Sequence, residues 1–270
     1  MSSHPRPWND AVGPFRADQI SEGSHYELCN GNAIHCMTAG GRHGSAHAAG
    51  TLVLATATDA PDRTGVDVGV AWNGGKNLRA PDISHGLDLS KPGWSSTAPP
   101  LAIEYADVGQ DEDDLRDKIR ELLELGTRTI WVVRLVGPLR VEIHEPGAPM
   151  RLVDGDATLT APGILDRPVP ARALIDPKIA VETALHNLLA AKGYRSLDHV
   201  REEGREEGRE EGREAALGEL REHLFSQLAA RGFAVPAELR ARVAGCADFG
   251  TLARWLTQAV VAADVEAALR

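Results

Sequence analysis

Apolar and polar positions alternate in short stretches through the first two thirds of the chain, then give way to helical periods. Apolar residues flank Asn30-Gly31 in HYELCNGNAIHCM, the pattern of two strands joined by a two-residue turn. HGSAHAAGTLVLATAT (43–58) reads as a helix. VDVGVAW, ending at Trp72, and LRAPDIS (78–84) each read as one strand, and LAIEYA (101–106) is a short apolar run holding a single carboxylate. In DDLRDKIRELLELG (113–126), Leu115, Ile119, Leu122 and Leu123 share one helical face and Gly126 provides a stop. TIWVVRLV (129–136) reads as a buried strand, with VEIHE and MRLVDG as edge strands beyond it. The strand–helix–strand order over 101–136 predicts a crossover unit with neighbouring strands. The fold class is α/β, with a mixed sheet flanked by helices.

Residues 163–176, rich in Pro, Ala and Arg, read as a closing loop. PKIAVETALHNLLAAKGY (177–194) is a helix with proline in its first turn and a glycine stop. Residues 201–214 repeat REEG, either a solvated helix with Glu–Arg pairs at i,i+3 and i,i+4 or a flexible spacer. Past the repeat every segment reads as helix. Leu217, Leu220, Leu224 and Leu228 form a stripe that must be covered by the later helices or by a second copy. The expected organisation is a core domain at 1–176, a helical linker at 177–216 and a small helical domain at 217–270. A homo-oligomer formed through the C-terminal helices is expected with it.

Charge narrows the function classes. The chain of 270 residues carries a formal net charge of -10, so it has no broadly basic coat for nucleic acid. DNA as a partner would then bind weakly without metal ions to offset the carboxylates. Cys29, Cys36 and Cys246 form no CxxC pair, which argues against a disulfide framework or a four-cysteine zinc site. MSSHPRPWND has no apolar core of a signal peptide, and no apolar run reaches the ~18 residues of a membrane span. A cytoplasmic location is the expectation.

The chemistry concentrates in RAPDI, LAIEYA and DDLRDK. If the first two are neighbouring strands, Asp82 and Glu104 meet at one sheet edge. Two carboxylates, the Tyr105 backbone carbonyl and waters would satisfy Mg²⁺ (or Mn²⁺). Such an ion activates water and offsets charge on a phosphate. Lys118, on the same helix face as Asp114, would orient the water or steady the phosphorane. His43 and His47 have zinc-binding spacing, but local sequence indicates no third ligand, so they read as core or surface residues. Trp94, in the loop KPGWSSTAPP, is a candidate for exposure near substrate.

These pieces, in this order, resemble the Uma-two family of restriction endonucleases within the PD-(D/E)XK nuclease superfamily. HYELCNG (25–31), His43, RAPDI (79–83), LAIEYA (101–106), Asp114 with Lys118, and GTRTIWVV (126–133) carry the resemblance, over residues ~20–175. It implies metal-dependent phosphodiester hydrolysis with Asp82 and Glu104 as metal carboxylates. Lys118 would replace the strand lysine, since Ala106 stands at that place. Glu27, His43 and Asp114 match supporting positions. The chain departs from the family pattern at Asn32, where an acidic residue is common, and at Arg134-Leu135, where a VDP-like turn is usual. The implied function is a metal-dependent DNA endonuclease. The alternative is a catalytically weak nuclease-fold protein acting as an interaction or oligomerisation module.

Overall fold

The structure, a computed structural model, describes residues 13–36, 38, 40–109 and 111–270; the amino-terminal stretch read for a leader lies outside them. The chain divides into two units, residues 1–195 and 196–270, each with its own apolar core.

The first unit opens with the hairpin β1 (Tyr26–Cys29) and β2 (Asn32–His35), followed by α1 (Gly41–Thr56). Asn30 and Gly31 take φ of 49° and 82°, the left-handed pair that a tight hairpin turn requires. Next come β3 (Thr64–Val66), β4 (Val70–Trp72), β5 (Asn77–Arg79), β6 (Ile83–His85) and β7 (Leu101–Ala106). The crossover helix α2 (Glu112–Leu125) leads into β8 (Thr129–Arg134), then β9 (Arg140–His144) and β10 (Arg151–Asp154). A short pair, β11 (Thr158–Leu159) and β12 (Val169–Pro170), precedes α3 (Pro177–Ala191). The main sheet has the order β10-β9-β8-β7-β6-β3, with β7 and β8 parallel and the other neighbours antiparallel. A smaller antiparallel sheet has the order β2-β1-β5-β4.

Side chains of a strand alternate between faces, and β7 separates two packing layers in this way. Leu101, Ile103 and Tyr105 join Ile83, Trp131 and Val133 beneath α1. Ala102 and Ala106 join Ile130 and Val132 beneath Leu115, Ile119 and Leu122 of α2. Glu104 belongs by alternation to the α2 face. The α2 ends are those expected of a strong helix. Asp111 accepts from the amides of Asp113 and Asp114, and Gly126 takes φ 115°.

Three sequence expectations change. VDVGVAW and LRAPDIS are not single strands, because each is broken where the chain passes between sheets. β3 and β6 lie in the main sheet, β4 and β5 in the smaller one. The breaks fall at Asp67, with φ 53°, and at Ala80-Pro81-Asp82, so Asp82 immediately precedes β6 instead of lying within a strand. The Asp67 amide donates to the Asp82 carbonyl at 3.3 Å and ties the two crossings together. β9 pairs on both sides and is no edge strand. Trp94 packs with Ala17, Leu28 and Leu78, and its Nε1 donates to the Ala17 carbonyl at 2.9 Å, so it does not stand free in its loop.

Helix α3 also belongs to the first unit. Its Ala180 sits in the core beneath α1, so the expected domain end at 176 cuts through a packed layer. The second unit begins with α4 (Leu197–Ala230), which carries the REEG repeat as continuous, exposed helix. Leu217, Leu224 and Leu228 are buried against residues of α5 (Ala237–Ala244), α6 (Phe249–Val261) and α7 (Val265–Ala268), including Val243, Leu252, Trp255 and Ala259. The stripe is thus covered within the chain, and the reason for expecting a homo-oligomer falls away. Among the described residues, no helix is long and apolar enough to cross a membrane.

Candidate active site

On the α2 face, Lys118 is buried and pairs with two buried glutamates. Its Nζ lies 3.0 Å from Glu104 Oε1 and 3.2 Å from Glu27 Oε1, and it donates to the Ala80 carbonyl at 2.8 Å. Desolvation alone would drive the ammonium towards the neutral form. The charges of Glu104, Glu27 and Asp82 reverse this, and Lys118 stands above the ordinary lysine value. Burial pushes the Glu104 carboxyl up, Lys118 pulls it down, and Asp82 and Glu27 push it up again. Asp82 is therefore within electrostatic reach of both members of the pair.

Beside Lys118 lies a second buried cation. Arg79 has no exposed side-chain surface and reaches Glu27 Oε2 at 3.0 Å, Asp114 Oδ1 at 3.0 Å and Glu121 Oε2 at 2.7 Å. Glu27 also accepts from the Ala80 amide at 3.0 Å, and Glu121 accepts from Cys29 Sγ at 3.2 Å. This network fixes the segment Arg79-Ala80 that delivers Asp82 to the corner.

Asp82 itself is held from the α1 side. Its Oδ2 accepts from the Tyr105 amide at 2.6 Å. His43 Nε2 lies 3.5 Å from Oδ2, and His47 Nε2 lies 3.5 Å from Oδ1. Burial would raise the Asp82 carboxyl, but His43, Lys118, His47 and the Tyr105 amide together hold it below the usual range. His43 is shifted up, chiefly by the Asp82 carboxylate beside it. The Tyr105 ring packs edge-on to both imidazoles, and its hydroxyl donates to the Leu174 carbonyl at 2.9 Å. Helix α1 comes close because residue 50 is glycine; a Cβ there would overlap the Tyr105 hydroxyl. Asp67 is the sixth acid of the corner. Its carboxyl is raised by burial and feels the charges of His47, Asp82, Lys118 and His43.

The residues singled out from sequence therefore gather at one corner, in two sets. Glu104, Lys118 and Glu27 form one, and Asp82 with His43 forms the other. Asp114 faces Arg79. Tyr105 contributes its amide to Asp82, while its hydroxyl anchors the opposite layer. Sequence reasoning missed Arg79, Glu121 and Asp67, and set His47 aside. Arg79 stands in RAPDI itself, where a cation inside an apolar stretch was a legible sign of buried partners. For His47 the missing third ligand was Asp82, 35 residues further along and brought beside it by β6.

Residues 15–168 match a family model described as "Uma2: Putative restriction endonuclease". No curated protein matches the chain at a significant level. A crystal structure described as "a putative nuclease belonging to DUF820", from Anabaena variabilis, superposes with a TM-score of 0.52. It is 18% identical, and the match covers 60% of this chain and 98% of that one. At that identity the likeness is one of fold.

Proposed function

The chain belongs to the Uma2 family of restriction-endonuclease-like proteins, and on that premise we propose that it is a divalent-metal-dependent nuclease that hydrolyses DNA phosphodiester bonds. The observation that carries the reading is the buried Glu104 with the Lys118 ammonium 3.0 Å away and Asp82 in electrostatic reach of both. A buried ion pair is often no more stabilising than apolar side chains of the same volume, so stability alone is a poor account of Glu104 with Lys118. The donor set suits a divalent ion. Glu104 Oε1 faces the Lys118 ammonium at 3.0 Å, while Asp82 turns its oxygens to His43 and His47, so an ion shared by the two acids would bridge the two sets.

Such an ion supplies a water of lowered pKa and offsets charge on the phosphate. Asp82 and Glu104 would hold it. Lys118, kept protonated and fixed by Glu27 and the Ala80 carbonyl, would then donate to the attacking water or to a phosphate oxygen. Arg79 keeps Glu27 oriented and so positions Lys118 at one remove. The net charge of -10 opposes the approach of DNA, which accords with binding that depends on metal.

A plasmid-nicking assay with Mg²⁺ or Mn²⁺ tests the proposal. Cleavage by the wild-type protein is expected with metal, and none with a chelator or with Glu104→Ala. Absence of cleavage with either ion, or full activity in Glu104→Ala, would overturn it.

A further inference from the structure

We propose that His43, His47 and Asp82 form a site for a transition-metal dication of the Mn²⁺, Co²⁺ and Zn²⁺ group, in preference to Mg²⁺. One ligand atom from each of the three lies within 4.8 Å of the other two. The histidines stand one turn apart on α1, so both imidazoles leave the same helix face. Their rings meet edge-on with centroids 5.2 Å apart, which lets each nitrogen turn towards the carboxylate.

The spacing favours ligands over a simple hydrogen-bonded cluster. Each imidazole nitrogen is 3.5 Å from an Asp82 oxygen. Charge-assisted hydrogen bonds draw in to about 2.7–2.9 Å. Two ligands on one tetrahedral ion, with bonds of about 2.0–2.1 Å, stand about 3.3–3.4 Å apart. His47 Nε2 is buried and makes no hydrogen bond of good geometry among the described residues. A buried imidazole nitrogen left in that state lacks a partner that an ion would provide.

The surroundings hold the set in place. Asp82 is pinned by the Tyr105 amide, and the Tyr105 ring backs both imidazoles at 5.9 and 5.5 Å. Asp67 adds negative charge within reach of both histidines. Chemistry then decides between ions. Mg²⁺ demands oxygen ligands and gives up its waters reluctantly, whereas imidazole suits the later first-row dications. Two imidazoles in three ligands exclude Mg²⁺ from this position and admit the borderline ions.

This site shares Asp82 with the nuclease centre. It rests on that reading only in supposing that the ion held here also serves the reaction. Isothermal calorimetry on the full chain with Zn²⁺, Mn²⁺ and Mg²⁺, together with visible absorption of the Co²⁺-loaded protein, tests it without reference to activity. The expected result is Zn²⁺ binding well ahead of Mg²⁺. His47→Ala and His43→Gln should each weaken Zn²⁺ at least about tenfold and bleach or shift the Co²⁺ bands. Thermal unfolding of both variants controls for folding, and two separate substitutions guard against loss of one protein. If Zn²⁺ affinity stays within about twofold in both variants, with Co²⁺ bands unchanged, the histidines are not ligands and the inference fails. Glu104→Ala in the nicking assay separates this from the nuclease reading. Cleavage abolished by Glu104→Ala but untouched by the histidine variants would leave the nuclease standing and overturn the supposition that the ion held by the histidines serves it. Histidine-dependent Zn²⁺ binding without cleavage under any ion would do the reverse.

Discussion

Arg79→Met is the sharpest test of how the corner is held together. Methionine nearly keeps the length and volume of the arginine stem but removes the charge. In the native protein the guanidinium, with no exposed surface, faces Glu27, Asp114 and Glu121 at 2.7–3.0 Å. Losing one partner of a buried ion pair typically costs about 3–5 kcal/mol, because the other charge is left uncompensated. Two of the three carboxylates have some relief. Glu27 keeps Lys118 at 3.2 Å and the Ala80 amide at 3.0 Å, and the Asp114 side chain is 32% exposed and can turn to water. Among the described residues Glu121 keeps only the Cys29 thiol at 3.2 Å and a long contact to Asn77 at 3.5 Å, and so carries most of the loss. An effect near the lower end, about 3 kcal/mol, follows. At about 2–4 °C per kcal/mol for a unit of this size, the melting point should fall by roughly 10 °C. Scanning calorimetry in metal-free buffer measures it, since it can separate the transitions of the two units. Adding Glu121→Gln to Arg79→Met should restore about 1 kcal/mol or more by neutralising the stranded acid. A single mutant within about 0.5 kcal/mol of wild type, or a double mutant no better than the single, would refute the reasoning.

Four further outcomes are expected. Lys118→Met should abolish cleavage and also lower the melting point in metal-free buffer, because Glu104 loses its counterion while Glu27 keeps Arg79; unchanged cleavage in the nicking assay would place the role elsewhere. Gly50→Ala should destabilise by about 1–3 kcal/mol in urea titrations, since the added methyl displaces the Tyr105 hydroxyl and Ile83; an unaffected midpoint would show that α1 shifts without penalty. Burial, with the Glu27 charge adding to it, pushes the Cys36 thiol up to about 11. Alkylation of the folded protein at pH 8, followed by peptide mass spectrometry, should therefore be about a hundredfold slower at Cys36 than in urea, and equal rates would contradict the burial. Residues 1–195 should fold alone, whereas 1–175 should not, because it lacks α3 over the α1 layer; cooperative melting of 1–175 would show that α3 is dispensable.

What could be read from the sequence was mostly local. The Asn30-Gly31 turn, the α2 helix with its Gly126 stop and the buried strand at 129–134 each carry their signal in a few adjacent residues. Glu104 could be singled out because a charged group in an apolar run is expensive to bury, and Asp82 and Lys118 because their order around it resembles the family pattern. The sheet crossings could not be read. Alternating apolar positions run straight through Asp67, and although the alternation shifts phase at Pro81, nothing in a period of two reveals a change of partner sheet. The same crossings explain why His47 was passed over. Its carboxylate partner is near only after the chain has left the main sheet for the smaller one and come back to it. The leucine stripe of α4 was plain, but whether its cover came from this chain or a second one depends on how three short helices fold back.

Six carboxylates meet at the corner, Glu27, Asp67, Asp82, Glu104, Asp114 and Glu121, and among the described residues Arg79 and Lys118 are the buried cations that face them. With an ion held there as proposed, that surplus of negative charge makes ion occupancy and folding a single linked equilibrium. An ion bound by the native state and not by the unfolded chain adds about 2.7 kcal/mol when present at a hundred times its dissociation constant. On the scale used for Arg79 this amounts to roughly 5–10 °C in melting point. On the proposed function the protein would work as its own ion gauge. Two preparations that differ only in trace metal would then differ in thermal stability and in resistance to proteolysis. A panel of buffers can rank the ions this corner accepts before any nucleic acid has been tried.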